Sequence, residues 1–420
     1  MFIVNDRLIT QEAFSARVEQ YSQLEPFLAV ESARYAICAS DAEMVIALVE
    51  LIRARNDSVL LLYGDTPLES ALERAAEAGC CWLFYGTVQD AYRVHIPEDT
   101  GDAPPSLYQF SSGTTGRPKL IGRSWIEVIE ELNAYNQVLL ARGLGEAEPV
   151  ILTSITHSYG LITGVLSALQ RGAVPLICQN TNPKYMLQRI MRSERPLVYA
   201  VPALLQTLLP WLQARKQKEK RLYAVISSGA QLSMNLCQML REHTDCLIQQ
   251  YGCTEAGCVS LAVGMVSFDD LGKPLSHIQV QAASYPTEMI FSTKHGKLIP
   301  SGDLGTEAPD GRLRFIGRLD DLINVSGLKV HPLEVEQMIA RMEGIQEVVV
   351  YRGAHPVSGD TVHAMIVAAG LITREQVLAW CQKSLPAYKV PSEIEFVHEI
   401  PRLPSGKISR KLLIQGGTGC

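Results

Sequence analysis

Residues 111–119 run Ser111-Ser112-Gly113-Thr114-Thr115-Gly116-Arg117-Pro118-Lys119, which places four hydroxyls, two glycines and two cations within nine positions. Glycines let backbone N–H groups come close to an anion, and hydroxyls and cations add further donors, so the segment suits phosphate oxygens. A surface turn shares this composition. The spacing is not that of a Walker A loop, which needs G-x-x-x-x-G-K-[ST]. Gly406-Lys407 does not supply one either, since Pro401 stands where the first glycine belongs and Ile408 follows the lysine. Four more polar segments follow in order: Tyr251-Gly252-Cys253-Thr254-Glu255, Ser301-Gly302-Asp303, Gly317-Arg318-Leu319-Asp320 and Pro404-Ser405-Gly406-Lys407. Taken singly, Asp303 reads as a turn residue and Lys407 as a solvated lysine. Their joint order carries the information.

These segments must be positioned by the elements around them. From about residue 40 to 260, helical apolar patterns alternate with short strand-like runs at Ser58–Tyr63, Val150–Thr153, Leu197–Ala200, Leu222–Ser227 and Cys246–Gln250. That alternation predicts βα units on a mainly parallel sheet. Beyond about residue 275, Val280–Ala282 and Glu288–Ser292 read as short strands ahead of a polar, glycine-containing stretch over 295–312. The last hundred residues read as a small α+β unit. His331-Pro332 opens a helix that Gly344 closes, with Val335, Met338, Ile339 and Met342 on its buried face. Strands Glu347–Arg352 and Val362–Ala368 follow, then a helix opened by a Thr373-x-x-Gln376 capping box. The fold class is therefore α/β: a large N-terminal domain of βα units plus a small β-rich part over 1–319, and a small C-terminal α+β domain over 320–420.

The 420 residues are 47% hydrophobic and 20% charged, which excludes disorder, collagen and coiled coil. A formal net charge of −6 gives no broad positive field, so no nucleic-acid partner is expected. No apolar run is long enough for a membrane span. The opening Met-Phe-Ile-Val-Asn-Asp-Arg lacks the basic-then-apolar order of a signal peptide. Ten scattered cysteines without a C-x-x-C pair argue against a disulfide framework and fit a reducing, cytoplasmic setting.

In composition and order the five segments resemble the adenylate-forming (acyl-activating) enzyme superfamily, over about residues 107–412. The resemblance implies that Ser111, Ser112, Gly113, Thr114, Thr115, Gly116 and Lys119 hold the β- and γ-phosphates of ATP. It places Tyr251 against the adenine, with Gly229 and Ala230 lining the same pocket, and Thr254 at the α-phosphate. Glu255 would hold Mg²⁺, a hard cation suited to carboxylate oxygen. Asp303 would accept hydrogen bonds from the ribose hydroxyls, and Arg318 would reach the ribose or phosphate as a permanent cation. Lys407 would be the main catalytic residue, neutralising charge between the attacking carboxylate and the α-phosphate. Asp320 falls at the family's hinge, about which the small, mobile C-terminal domain turns between two half-reactions.

Thr156-His157-Ser158-Tyr159-Gly160 resembles the family's His-containing motif beside the acyl pocket, which makes His157 a candidate catalytic residue. Amino-acid-activating relatives place an aspartate nearby, whereas no Asp or Glu occurs between Pro149 and Pro183. A buried ammonium without a partner costs several kcal/mol. The expected activity is thus an ATP-dependent carboxylic acid ligase forming an acyl-AMP and then a thioester, from an aryl or medium-chain acid. An amino-acid-activating adenylation domain and a catalytically degenerate nucleotide-binding relative are the alternatives. Only 110 residues precede the loop, fewer than the family usually has, so CoA and the phosphopantetheine of an acyl carrier protein both stand as thiol acceptors.

Overall fold

The computed structural model describes residues 1–28, 33–95, 104–111, 118–214, 221–355, 359–402 and 408–416. Its largest sheet joins a parallel half to an antiparallel half. Strands Leu176–Ile177, Glu148–Ile151, Pro196–Ala200, Leu222–Ser227 and Thr244–Cys253 lie side by side and parallel. Four of the five apolar runs recognised in the sequence lie in this half, with ends that differ by up to three residues because ladder bonds do not stop where the apolar run stops. The fifth, at Ser58–Tyr63, lies in a separate sheet, and Leu176–Ile177 is an addition. At Thr244–Cys253 the direction changes. Gly257–Val263 returns antiparallel, followed across the sheet by Asp270–Pro274, Leu313–Arg318, Leu298–Glu307, Thr287–Thr293 and Ile278–Gln281. The stretch 295–312 is thus not merely a polar connection, since most of it is the strand Leu298–Glu307.

A six-stranded sheet carries Ala91–Arg93, Trp82–Tyr85, Arg34–Cys38, Ser58–Leu62, Ser106–Ser111 and Lys119–Ser124 in that spatial order. Its inner strand Ser58–Leu62 is buried throughout, as expected of a parallel strand covered on both faces. The helix Ala42–Ala54 is buried almost all round and belongs to the same apolar core as Tyr35 of one sheet and Tyr199 of the other. Asp41 caps it by accepting from the Met44 N–H.

The third sheet orders Leu328–Val330, Ile323–Val325, Gly359–Ala368 and Ile345–His355, with Glu393–Phe396 added parallel to Gly359–Ala368. Helices Pro332–Ala340 and Arg374–Ser384 cover it. The first starts with proline after His331, and the second carries the full Thr373/Gln376 capping box. Val335 and Ile339 are buried, and Met338 and Met342 pack at the margin of the same core. The molecule is a mixed α/β fold with large sheets and a small β-rich C-terminal part. Among the described residues no helix is long and apolar enough to cross a membrane, and the nine cysteines described are free thiols.

Candidate active site

The strand pair Leu298–Glu307 and Leu313–Arg318 sets Asp303 directly opposite Arg318. Arg318 Nη1 donates to Asp303 Oδ1 at 2.8 Å, and the Tyr251 hydroxyl donates to Asp303 Oδ2 at 2.6 Å. Three of the sequence motifs therefore converge on one carboxylate. Gly302 makes this possible with φ +68, where a side chain would also stand 3.0 Å from Arg318 Nη2. Burial pushes the Asp303 carboxyl above its ordinary value, while the Tyr251 and Arg318 bonds oppose that rise. Each carboxylate oxygen accepts more than one hydrogen bond, so Asp303 keeps capacity for a diol. Arg318 Nε also donates to Asp320 Oδ1 at 3.1 Å, which ties this cluster to the position expected for the hinge.

Tyr251 lies near the end of the strand Thr244–Cys253, and its ring meets Phe291 edge-on at 6.0 Å. Next to it in the sheet, Ser227 pairs with Gln249. Gln249 Nε2 lies 3.3 Å from Ser227 O and 3.4 Å from Ala230 O. This side chain ties the exposed Gly229-Ala230 segment to the strand that carries Tyr251. Thr254 and Glu255 occupy the turn between Thr244–Cys253 and Gly257–Val263, each partly exposed. Neighbouring Cys253 is pushed up to about 12 by burial and by the Glu255 charge, so its thiol stays neutral. Among the described residues no Lys or Arg pairs with Glu255, and no group of three His, Cys, Asp or Glu gathers around a metal-sized space. One carboxylate fits Mg²⁺, which takes few protein ligands and fills its shell from phosphates and water.

Ser111 and Lys119 face one another across the pair Ser106–Ser111 and Lys119–Ser124. Ser112, Gly113, Thr114, Thr115 and Gly116 lie outside the described residues, as does Lys407. His157 sits just ahead of the π-helical segment Tyr159–Leu166, and its Nδ1 accepts from the Tyr159 N–H at 3.3 Å. Gln109 links this segment to the strand Ser106–Ser111: its Nε2 donates to Thr156 O at 2.9 Å, and its Oε1 accepts from the Ser158 hydroxyl. Among the described residues no direct hydrogen bond joins Lys119 to the Tyr251–Asp303–Arg318 cluster. Gln109 and Gln249 escaped notice in the sequence, where a glutamine within an apolar strand offers only the weak signal of a polar residue at a buried position.

A family model for AMP-binding enzymes matches residues 19–302, and one for the AMP-binding enzyme C-terminal domain matches 334–407. A 3,4-dihydroxybenzoate–[aryl-carrier protein] ligase of Bacillus anthracis is 43% identical over 419 residues, covering 99% of each chain. A 4-coumarate–CoA ligase-like protein of rice is 29% identical over 332 residues, 73% of this chain and 61% of its own. Among solved structures, ATP-bound MatB from Rhodopseudomonas palustris superposes with a TM-score of 0.83 at 18% identity, covering 99% of this chain and 96% of that one. The O-succinylbenzoate CoA synthetase MenE of Bacillus subtilis, with ATP and magnesium ion, gives 0.81 at 19% identity, covering 98% and 96%.

Proposed function

This chain belongs to the AMP-binding enzyme family, and on that premise we propose that it activates a hydroxylated benzoic acid and loads it onto an aryl carrier protein. It is an AMP-forming acid–thiol ligase using ATP. In the first half-reaction a carboxylate oxygen attacks the α-phosphorus of ATP; the new O–P bond gives the acyl-AMP, and the bond to the β-phosphate breaks to release pyrophosphate. In the second, a phosphopantetheine thiolate attacks the acyl carbon, and AMP leaves with the electron pair of the broken C–O bond. AMP is a good leaving group, so strong base catalysis is not required.

The observation that carries the choice of acceptor is sequence identity. The carrier-protein ligase is 43% identical over 99% of both chains, whereas the 4-coumarate–CoA ligase-like relative and a putative acyl–CoA ligase of Bacillus subtilis are 29% and 27% identical over 73% and 76% of this chain. The lack of acidic residues between Pro149 and Pro183 supports an acid without an ammonium group.

For the nucleotide, Asp303 takes the ribose hydroxyls, Tyr251 with Gly229 and Ala230 takes the adenine, and Arg318 reaches toward the ribose. Ser111 to Gly116 with Lys119 holds the β- and γ-phosphates, and Thr254 the α-phosphate. Glu255 would hold Mg²⁺, which supplies charge neutralisation at the phosphates when bound. Lys407 supplies the cation at the reacting α-phosphate, and His157 borders the acid. The C-terminal domain from Asp320 onward turns between the half-reactions. The free thiols fit a cytoplasmic enzyme.

An acid-dependent ATP–pyrophosphate exchange screen over hydroxybenzoates, fatty acids and amino acids tests the substrate, and transfer to a holo aryl carrier protein against free CoA tests the acceptor. Exchange driven best by a dihydroxybenzoate, with faster transfer to the carrier, is the expected result. Best exchange with an α-amino acid, or preference for CoA, would overturn the assignment.

A further inference from the structure

Arg123 and Glu131 form an ion pair at 2.7 Å with side chains only 5% and 1% exposed. Arg123 lies in Lys119–Ser124, the strand that leaves the phosphate segment. Glu131 lies in the helix Trp125–Ala141 that follows at once, opened by a Ser124/Glu127 capping box. The pair does not close on itself. Glu131 Oε1 accepts the backbone N–H of Cys258 at 2.8 Å. Cys258 is paired with Gly252, and Cys253 with Gly257, at the base of the hairpin whose tip carries Thr254 and Glu255.

Gly257 completes the contact. Its φ is +72, and a Cβ there would fall 2.3 Å from Glu131 Oε2 and 2.4 Å from Arg123 Nη1. The two charged groups therefore rest directly against hairpin backbone that any other residue would push away. Arg123 Nη1 has no hydrogen-bond partner among the described residues, so the arrangement is not optimised for stability. Buried ion pairs are often matched or bettered by apolar residues of similar volume. What this pair supplies is position.

We propose that Arg123 and Glu131 are positioning residues, a strut that fixes the Thr254–Glu255 turn relative to the phosphate-side strand through the Cys258 N–H. The proposal rests on the adenylation reading above. Neither residue touches substrate. Both act through the turn, where a shift of about 1 Å is enough to lower a chemical step on the order of 100-fold. Their sequence neighbourhood gives no hint of this, because Glu131 and Cys258 are brought together only by packing the helix on the hairpin.

Two double variants separate position from charge. Arg123→Met with Glu131→Leu removes the strut without leaving a buried charge unpaired, and Arg123→Met with Glu131→Gln does the same but keeps an amide oxygen for the Cys258 N–H. The measurement is kcat of acid-dependent pyrophosphate exchange per titrated active site, with KM for ATP and calorimetric AMP affinity alongside. For the Leu variant, kcat is expected to fall on the order of 100-fold while KM and AMP affinity stay within about threefold. The Gln variant is expected to recover most of that loss. Native kcat in the Leu variant, or equal loss in both with native melting curves, would overturn the strut. If the Leu variant fails to fold, Glu131→Asp keeps both charges and draws the acceptor back by one methylene; about tenfold lower kcat is expected, and a native value overturns the proposal. Native enzyme that supports no pyrophosphate exchange with any acid in the screen would refute the adenylation reading itself, which is a separate result.

Discussion

Asp303 is held by two protein donors before any ligand arrives, and this sets how its neighbours should behave. A hydrogen bond to a charged group contributes about 1.5–3 kcal/mol, so Tyr251→Phe is expected to weaken ATP binding about tenfold, measured calorimetrically, with little change in kcat. Burial raises the Asp303 carboxyl above the ordinary value of 3.8, and the lost Tyr251 bond would raise it further. Protonation of Asp303 favours the unliganded fold below 3.8, and that contribution is lost as pH rises through the folded value. On the proposed ribose contact nucleotide binding would need the ionised form and would run the opposite way. Binding to Tyr251→Phe should thus fail at a higher pH than binding to the native protein when acid is added. An unshifted profile would remove Asp303 from the ribose site. The motif residues were legible in the sequence because each is a chemically distinctive type in a set order. Gln109, Gln249, Arg123 and Glu131 were not, since their importance lies in what they meet.

The elements were legible where a pattern has a local cause. The parallel strands announce themselves as short apolar runs, and the two C-terminal helices by their starts at His331-Pro332 and Thr373. Leu298–Glu307 was hidden because Pro300, Ser301 and Gly302 read as a turn, and only pairing on both sides, with register shifts at Glu288/Ile290 and Leu304/Gly305, holds it extended. Asp270 secures the neighbouring strand. It is 1% exposed and accepts from Gly272 N at 2.9 Å, Val266 N at 3.0 Å and Arg312 Nε at 3.1 Å. Burial alone would raise its carboxyl, but Arg312 and the two backbone donors outweigh burial and hold it below 3.8. Such a group stabilises the fold above its unfolded value and loses that contribution as pH falls through the native one. Asp270→Asn should cost about 3 kcal/mol at pH near 7 in urea melts, with the gap to native closing in acid. A gap that is constant with pH would show that charge plays no part there.

At the scale of the molecule, the proposed reading gives Lys407 a part in the first half-reaction only. Lys407→Ala should reduce pyrophosphate exchange on the order of 100–1000-fold while leaving thioester formation from pre-made acyl-AMP largely intact. Equal loss of both would show that Lys407 has another role. The sequence by itself determined the family, the α/β class, the order of the nucleotide-binding motifs and the chemistry they share, because side-chain type and local spacing are properties of the chain alone. Only the tertiary structure decided that Tyr251, Asp303, Arg318 and Asp320 form one bonded cluster, that Gln109 ties the His157 segment to the strand Ser106–Ser111, and that Glu131, paired with Arg123, accepts the Cys258 N–H at the base of the hairpin carrying Thr254 and Glu255. Those contacts join residues up to 127 positions apart, and their strength depends on burial, which no stretch of sequence carries alone.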